Sequence, residues 1–271
     1  MKRILTALVA LPILLYAVWS EIPYFFAALA GISIILAVNE FYSLAEKTGC
    51  RPFAFLGYAA ALAVIACFVL GYPGWIIAAL AALTLCSFAA ALSRPEELNK
   101  ALASVSATVM GIIYIAVLAG FLIGVRMLPD TPSISNLAPK LLTMFFAMVM
   151  MTDTGAYYTG RTLGRHKLAP RISPGKTMEG SVGGFIAAAL TGPVCRLLFF
   201  PEAPLIPTIL LGATIGILGQ IGDLAESMLK RGAEVKDSGR LFPGHGGMLD
   251  RVDSILFCAP LLYYYSRLFV Q

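Results

Sequence analysis

The chain has 271 residues, of which 59% are hydrophobic and only 13% charged, and its formal net charge is +5. A soluble domain carries about a quarter charged residues and roughly half apolar ones, so this composition excludes an ordinary soluble enzyme. With a mean hydropathy of +0.83, the positive balance bears on membrane topology, and no nucleic-acid partner is expected.

Nine apolar segments follow one another, at about 4–20, 22–45, 53–71, 74–93, 103–128, 137–160, 180–200, 204–229 and 253–269. A bilayer core about 30 Å thick needs roughly 20 apolar residues per helix. The expected fold is therefore all-α, a polytopic transmembrane protein of about nine helices. The first segment, "MKRILTALVALPILLYAVWSE", has the basic start and apolar core of a signal peptide. No small-residue cleavage site follows in good context, so it reads as a retained first helix. The second carries Asn39 and Glu40. An acid inside a membrane helix is costly, so Glu40 has either a buried partner or a supporting role in a site. Cys50, Cys67, Cys86, Cys195 and Cys258 are far apart and read as small buried apolar residues. Trp19, Trp75 and the run Tyr263–Tyr265 fit an interfacial aromatic belt.

Cytoplasmic loops carry an excess of Lys and Arg. With the N-terminus inside and strict alternation, only Arg126, Lys140, Arg196 and Arg267 of the twenty cations fall outside. The expected location is a multi-pass position in a bacterial inner membrane, with both basic, glycine-rich loops cytosolic. Polar residues concentrate after residue 150. Residues 1–136 then read as scaffold helices, offering support, a lipid groove or a homodimer contact, and residues 137–271 as the catalytic region.

The sixth segment contains Asp153, and behind it come Arg161, Arg165, Lys167, Arg171 and Lys176 interleaved with glycines. In "SPGKTMEG", Ser173 is expected to cap a helix beginning at Pro174. A helix start with free N–H groups suits phosphate. Lys176 and Thr177 would add a charge and a hydroxyl, and Glu179 a capping box or a metal ligand. "GKT" is not a P-loop: GxxxxGK[ST] needs glycine where Pro170 stands, and no strand is expected before it. The plainer alternative is a positive-inside anchor with a helix cap.

The eighth segment ends with Asp223, Glu226 and Lys230 on one helix face. Lys236, Asp237 and Arg240 follow, then "PGHGGMLDRVDS". Gly244, Gly246 and Gly247 allow close backbone approach to a ligand. Asp250 and Asp253 share a face at the start of the ninth helix. Carboxylates are hard oxygen ligands suited to Mg2+ that also binds substrate phosphates, and Asp223 with Asp250 is the expected pair. The alternative makes Asp250 a helix cap and His245 a loop residue.

These residues carry a resemblance. Ser227, Lys230, Arg231, Lys236, Asp237, Gly239, Phe242, Pro243, His245, Gly246, Gly247, Met248, Asp250, Arg251, Val252 and Asp253 fit, at fixed spacing, the signature of the phosphatidate cytidylyltransferase (CDP-diacylglycerol synthase) family. "ISPGKTMEG" and "DTGAYYTGR" are similar to other polar segments of that family. The resemblance implies transfer of cytidylate from CTP to phosphatidate with Mg2+ as cofactor, the metal held by Asp223 and Asp250. In that scheme Lys230, Arg231 and His245 act with the two acids in catalysis. Arg171, Ser173, Lys176, Thr177, Glu179, Lys236, Asp237, Arg240, Gly246, Gly247 and Arg251 surround CTP and its phosphates. Asp153, Asp253 and Glu40 support them. A CTP-dependent lipid or polyprenol kinase, or a transporter for an anionic substrate, is the competing reading. A CDP-alcohol phosphatidyltransferase would need an acid-rich DGxxAR…GxxxDxxxD run, which this chain lacks.

Overall fold

The structure, a computed structural model, describes residues 2–94, 98–241 and 246–270, with backbone only for residues 2–10. The helices are α1 (Lys2–Trp19), α2 (Pro23–Lys47), α3 (Ala54–Val69), α4 (Ile76–Leu92), α5 (Leu98–Gly111), α6 (Leu118–Arg126), α7 (Leu137–Leu163), α8 (Met178–Leu198), α9 (Leu205–Gly232) and α10 (Leu249–Phe269). A π-helical stretch, Ile112–Val117, joins α5 to α6. Each of the nine apolar segments is thus helical, and among the described residues the fold is all-α apart from one small hairpin, β1 (Lys167–Ala169) with β2 (Ser173–Thr177).

Five of the described helical stretches are long and apolar enough to cross a membrane: Pro23–Lys47, Pro73–Leu92, Leu98–Arg126, Met178–Leu198 and Leu205–Gly232. Together they mark a multi-pass membrane protein. The apolar content of α7 is diluted by Asp153 with its threonines and tyrosines, and that of α10 by Asp250, Arg251, Asp253, Arg267 and three tyrosines.

The chain forms two compact units, residues 1–127 with 229–252, and residues 128–228 with 253–271. The boundaries cut α9 after Met228 and α10 after Val252, so most of the signature segment belongs with the N-terminal helices. A division at 136/137 separates the chain differently.

In the first unit, Tyr42 on α2 is buried and its hydroxyl donates to the Thr108 carbonyl of α5 at 2.9 Å. The π-helical stretch begins four residues further on. A side chain that takes a carbonyl from the helical ladder is a recognised cause of such a register change. Thr108 also receives the Phe53 amide at 2.8 Å, which ties the start of α3 to α5.

In the second unit, α7 buries Leu141, Leu142, Met144, Phe145 and Met148 completely. Lipid tails are as apolar as these side chains, so close packing and interhelical hydrogen bonds hold such helices together. Gly155 of α7 meets the backbone of Gly183 on α8, where a Cβ would lie 2.8 Å from a carbonyl oxygen. Between α9 and α10, Thr208 and the Tyr265 hydroxyl hydrogen-bond at 2.6 Å.

Candidate active site

In the second unit the basic loop is a hairpin, and this corrects two expectations. Pro170 occupies the second position of a turn closed by the Ile172 amide donating to the Ala169 carbonyl at 3.1 Å. Proline pre-sets the backbone angle for that position. The chain therefore reverses, Lys167 pairs with Thr177 and Ala169 with Ser173, and the "SPGKT" residues form a strand. Ser173 does not cap a helix at Pro174. The cap is Thr177, whose hydroxyl accepts from the Gly180 amide at 3.1 Å, and α8 begins at Met178. A short strand does precede "GKT", yet the motif lies within the following strand, so the P-loop reading fails on geometry as well as on Pro170.

Glu179, in the first turn of α8, accepts from the backbone amides of Arg165 (3.1 Å) and His166 (3.3 Å) and lies 2.6 Å from His166 Nδ1. It clasps the entry to the hairpin and makes no capping box. Lys176, on β2, forms an ion pair with Asp223 of α9 at 2.6 Å, with the two side chains 24% and 33% exposed. Asp223 also accepts from Ser227 at 3.4 Å. Arg171 is exposed, as is Asp153 on α7.

In the first unit Ser238, Gly239 and residues 246–249 surround two carboxylates. Asp250 Oδ1 lies 2.5 Å from Lys230 Nζ, with the side chains 6% and 12% exposed. Asp250 Oδ2 accepts from the Ser238 amide (2.9 Å), the Ser238 hydroxyl (2.9 Å) and the Gly247 amide (2.8 Å). Glu40, only 8% exposed, accepts from the amides of Met248 and Leu249 and from the Ser238 hydroxyl, each at 2.8 Å. Gly239 and Gly247 press so closely on Glu40 that a Cβ at either would run into its carboxylate. Gly246 adopts φ +80°, a left-handed conformation open to glycine. Glu40 therefore has buried partners, as one of the two sequence readings expected. Ser238, which sequence reasoning missed, bridges both acids. Nothing in its spacing distinguishes it from an ordinary loop serine.

Lys236, Asp237, Arg240 and Arg251 are exposed. Arg231 is exposed too and donates to the Val235 carbonyl at 3.0 Å. Asp253 accepts from the adjacent Ser254 amide at 2.6 Å. His245 lies outside the described residues. A cleft of about 690 Å3 lined by Glu46, Arg51, Arg94 and Lys100 involves none of the nominated residues.

Among the described residues, no group of three or more His, Cys, Asp or Glu side chains is gathered to hold a metal. Mg2+ does not require one, because it is usually bound through one or two carboxylates plus water and substrate phosphates. Asp223 and Asp250 both have the right chemistry, and in each both oxygens already meet protein donors; Asp223, a third exposed, is the more accessible of the two.

The chain belongs to the cytidylyltransferase family, whose model matches residues 1–269. It is similar to the phosphatidate cytidylyltransferase of Bacillus subtilis, 47% identical over 139 residues that cover 50% of this chain and 52% of the relative. It is also similar to that of Brucella melitensis, 49% identical over 132 residues, 48% of each chain. With that of Staphylococcus haemolyticus it shares 54% identity over 119 residues, 43% of this chain and 45% of the relative. The matched region spans about half the length of these curated relatives.

Proposed function

We propose that this protein is an integral-membrane phosphatidate cytidylyltransferase, converting CTP and phosphatidate to CDP-diacylglycerol and pyrophosphate. What carries the reading is the family match over residues 1–269, joined to relatives that bear that name. In the reaction a phosphate oxygen of the lipid attacks the α-phosphorus of CTP. The new P–O–P bond forms as the bond to pyrophosphate breaks, and the pyrophosphate leaves with its electron pair.

Both reactants are polyanions, so catalysis consists mainly of in-line positioning and charge neutralisation. Lys176 and Arg171 on the hairpin, and Lys230, Arg231, Lys236 and Arg240 around the signature loop, supply the cations. Thr177, whose hydroxyl oxygen accepts from the Gly180 amide, keeps a hydroxyl hydrogen to donate to a phosphate oxygen. By resemblance to the family, Asp223 and Asp250 are the acids assigned to Mg2+, which when bound would neutralise charge on the phosphate oxygens. The acyl tails stay in lipid while the headgroup meets CTP at the cytosolic surface. The corresponding topology is nine spans with the N-terminus inside, in a bacterial inner membrane.

The test is to incubate the purified full chain in lipid nanodiscs with phosphatidate and either α-labelled or γ-labelled CTP, then extract the lipid. The α label is expected in CDP-diacylglycerol and the γ label in released pyrophosphate. Label from the γ position in lipid would instead mark a CTP-dependent kinase. No labelled lipid from either would reject nucleotide transfer.

A further inference from the structure

We propose that Glu40 is a positioning residue, fixing Ser238, Met248 and the first turn of α10 so that Asp250 and Lys230 are held in one geometry. The three successive amides of Gly247, Met248 and Leu249 are divided between two acids. Gly247 donates to Asp250, and Met248 and Leu249 donate to Glu40. Leu249 is the first residue of α10, so the Glu40 carboxylate sits at the electropositive end of that helix, where a negative charge is favoured. Asp250 is the next residue. Its orientation about the helix axis is therefore set by what Glu40 holds.

Ser238 is the second link. Its hydroxyl lies 2.8 Å from Glu40 and 2.9 Å from Asp250, while its amide donates to Asp250. A hydroxyl has one hydrogen, so Ser238 serves one carboxylate at a time and couples the two. Glu40 thus has two routes to Asp250, through the helix start and through Ser238. An amide at position 40 fails in a specific way. The three donors converge on two carboxylate oxygens, and glutamine has one acceptor oxygen and an NH2 group, so at least one donor would face another donor. A buried donor left without its acceptor loses its solvation with nothing in return.

The proposal rests on the cytidylyltransferase reading, and the test separates the two. Full-length wild type, Glu40→Gln, Glu40→Asp, Ser238→Ala and the buried control Val38→Ala are compared in nanodiscs without nucleotide. Amide hydrogen exchange is read across residues 238–250. Glu40→Gln should speed exchange at Met248 or Leu249, whichever amide the glutamine NH2 comes to face, by about tenfold or more, as expected when a hydrogen bond worth more than 1.4 kcal/mol is lost. Val38→Ala should leave those amides protected. In turnover, Glu40→Gln should lower kcat by about 10- to 100-fold, the scale typical of outer-shell partners, with KM for CTP little changed. Combining it with Ser238→Ala should cost less than the product of the single losses.

Unchanged exchange at Met248 and Leu249 overturns the proposal, as do strictly multiplicative losses or a kcat no lower than that of Val38→Ala. Should Glu40→Gln fail to fold, Glu40→Asp carries the same exchange test, because its shorter side chain withdraws the carboxylate from the Met248 and Leu249 amides. A wild type that makes no CDP-diacylglycerol rejects the reaction assigned above, while the exchange result still decides whether Glu40 holds the loop.

Discussion

Lys176 Nζ lies 2.6 Å from Asp223 Oδ2, so the hairpin and α9 are joined by an ion pair between two residues nominated for phosphate and metal. Both side chains are partly exposed, and exposed pairs contribute about 0–1 kcal/mol. The pair Lys230–Asp250 is far more buried, and removing one partner of a buried pair costs roughly 3–5 kcal/mol. Lys176→Met should therefore leave the melting temperature nearly unchanged while raising KM for CTP by roughly 10-fold or more, as for a lost charge-assisted phosphate contact. Lys230→Met should lower the melting temperature markedly. Thermal unfolding in nanodiscs with parallel CTP titrations checks the ordering; the reverse order would mean that burial does not govern these pairs.

Asp223→Asn keeps the size of the side chain and removes the charge. It should cut kcat by orders of magnitude and shift or abolish the Mg2+ dependence, since charge neutralisation matters most in the transition state. Asp253→Asn should be much milder, because Asp253 accepts from its neighbouring amide at the α10 start. Initial rates across a Mg2+ titration decide. A normal Mg2+ profile in Asp223→Asn would move the metal to other acids.

Thr177 caps α8, whereas Ser173 sits in a strand. Thr177→Ala should destabilise the protein by about 1 kcal/mol, and Thr177→Ser should restore it. Ser173→Ala should leave stability within about 0.5 kcal/mol, the usual range for substitutions away from such features. Denaturant titration of the three variants is sufficient, and equal losses at both positions would contradict the cap assignment.

Topology is open to direct labelling. Single cysteines replacing Arg165 and Lys236, both exposed, in a background lacking the five native cysteines, should resist a membrane-impermeant maleimide in intact cells. They should react once the membrane is permeabilised. Labelling of either from outside would reverse the orientation proposed from the distribution of Lys and Arg.

Much of the helical architecture was legible because apolar runs bounded by Gly and Pro have a direct physical meaning in a bilayer. Glu40 and Asp250 were visible as acids out of place. Their partners were not, because the Glu40–Leu249 contact joins residues 209 apart in sequence, and periodicity within one helix carries no information about such a pairing. The hairpin escaped notice for a different reason. Its strands contain proline, glycine and lysine, residues depleted in sheets, and the turn at Pro170 outweighed the helix-start pattern of Ser173 and Pro174. Ser238 had no local signal at all, since its importance comes from lying between two carboxylates.

The long reach of Glu40 has a consequence for biogenesis. Chains are made at about 5–20 residues per second, so roughly 10–40 seconds separate the synthesis of Glu40 from that of Leu249, whose amide it will accept. Throughout that interval α2 must wait in the translocation machinery or the membrane with a carboxylate that lacks its final donors. A nascent chain arrested before Ser238 carries that acid with none of the three donors it later receives from residues 238–249. The contact can therefore form only once residues 238–249 have been made, so the acid of α2 is matched late and by the far end of the chain.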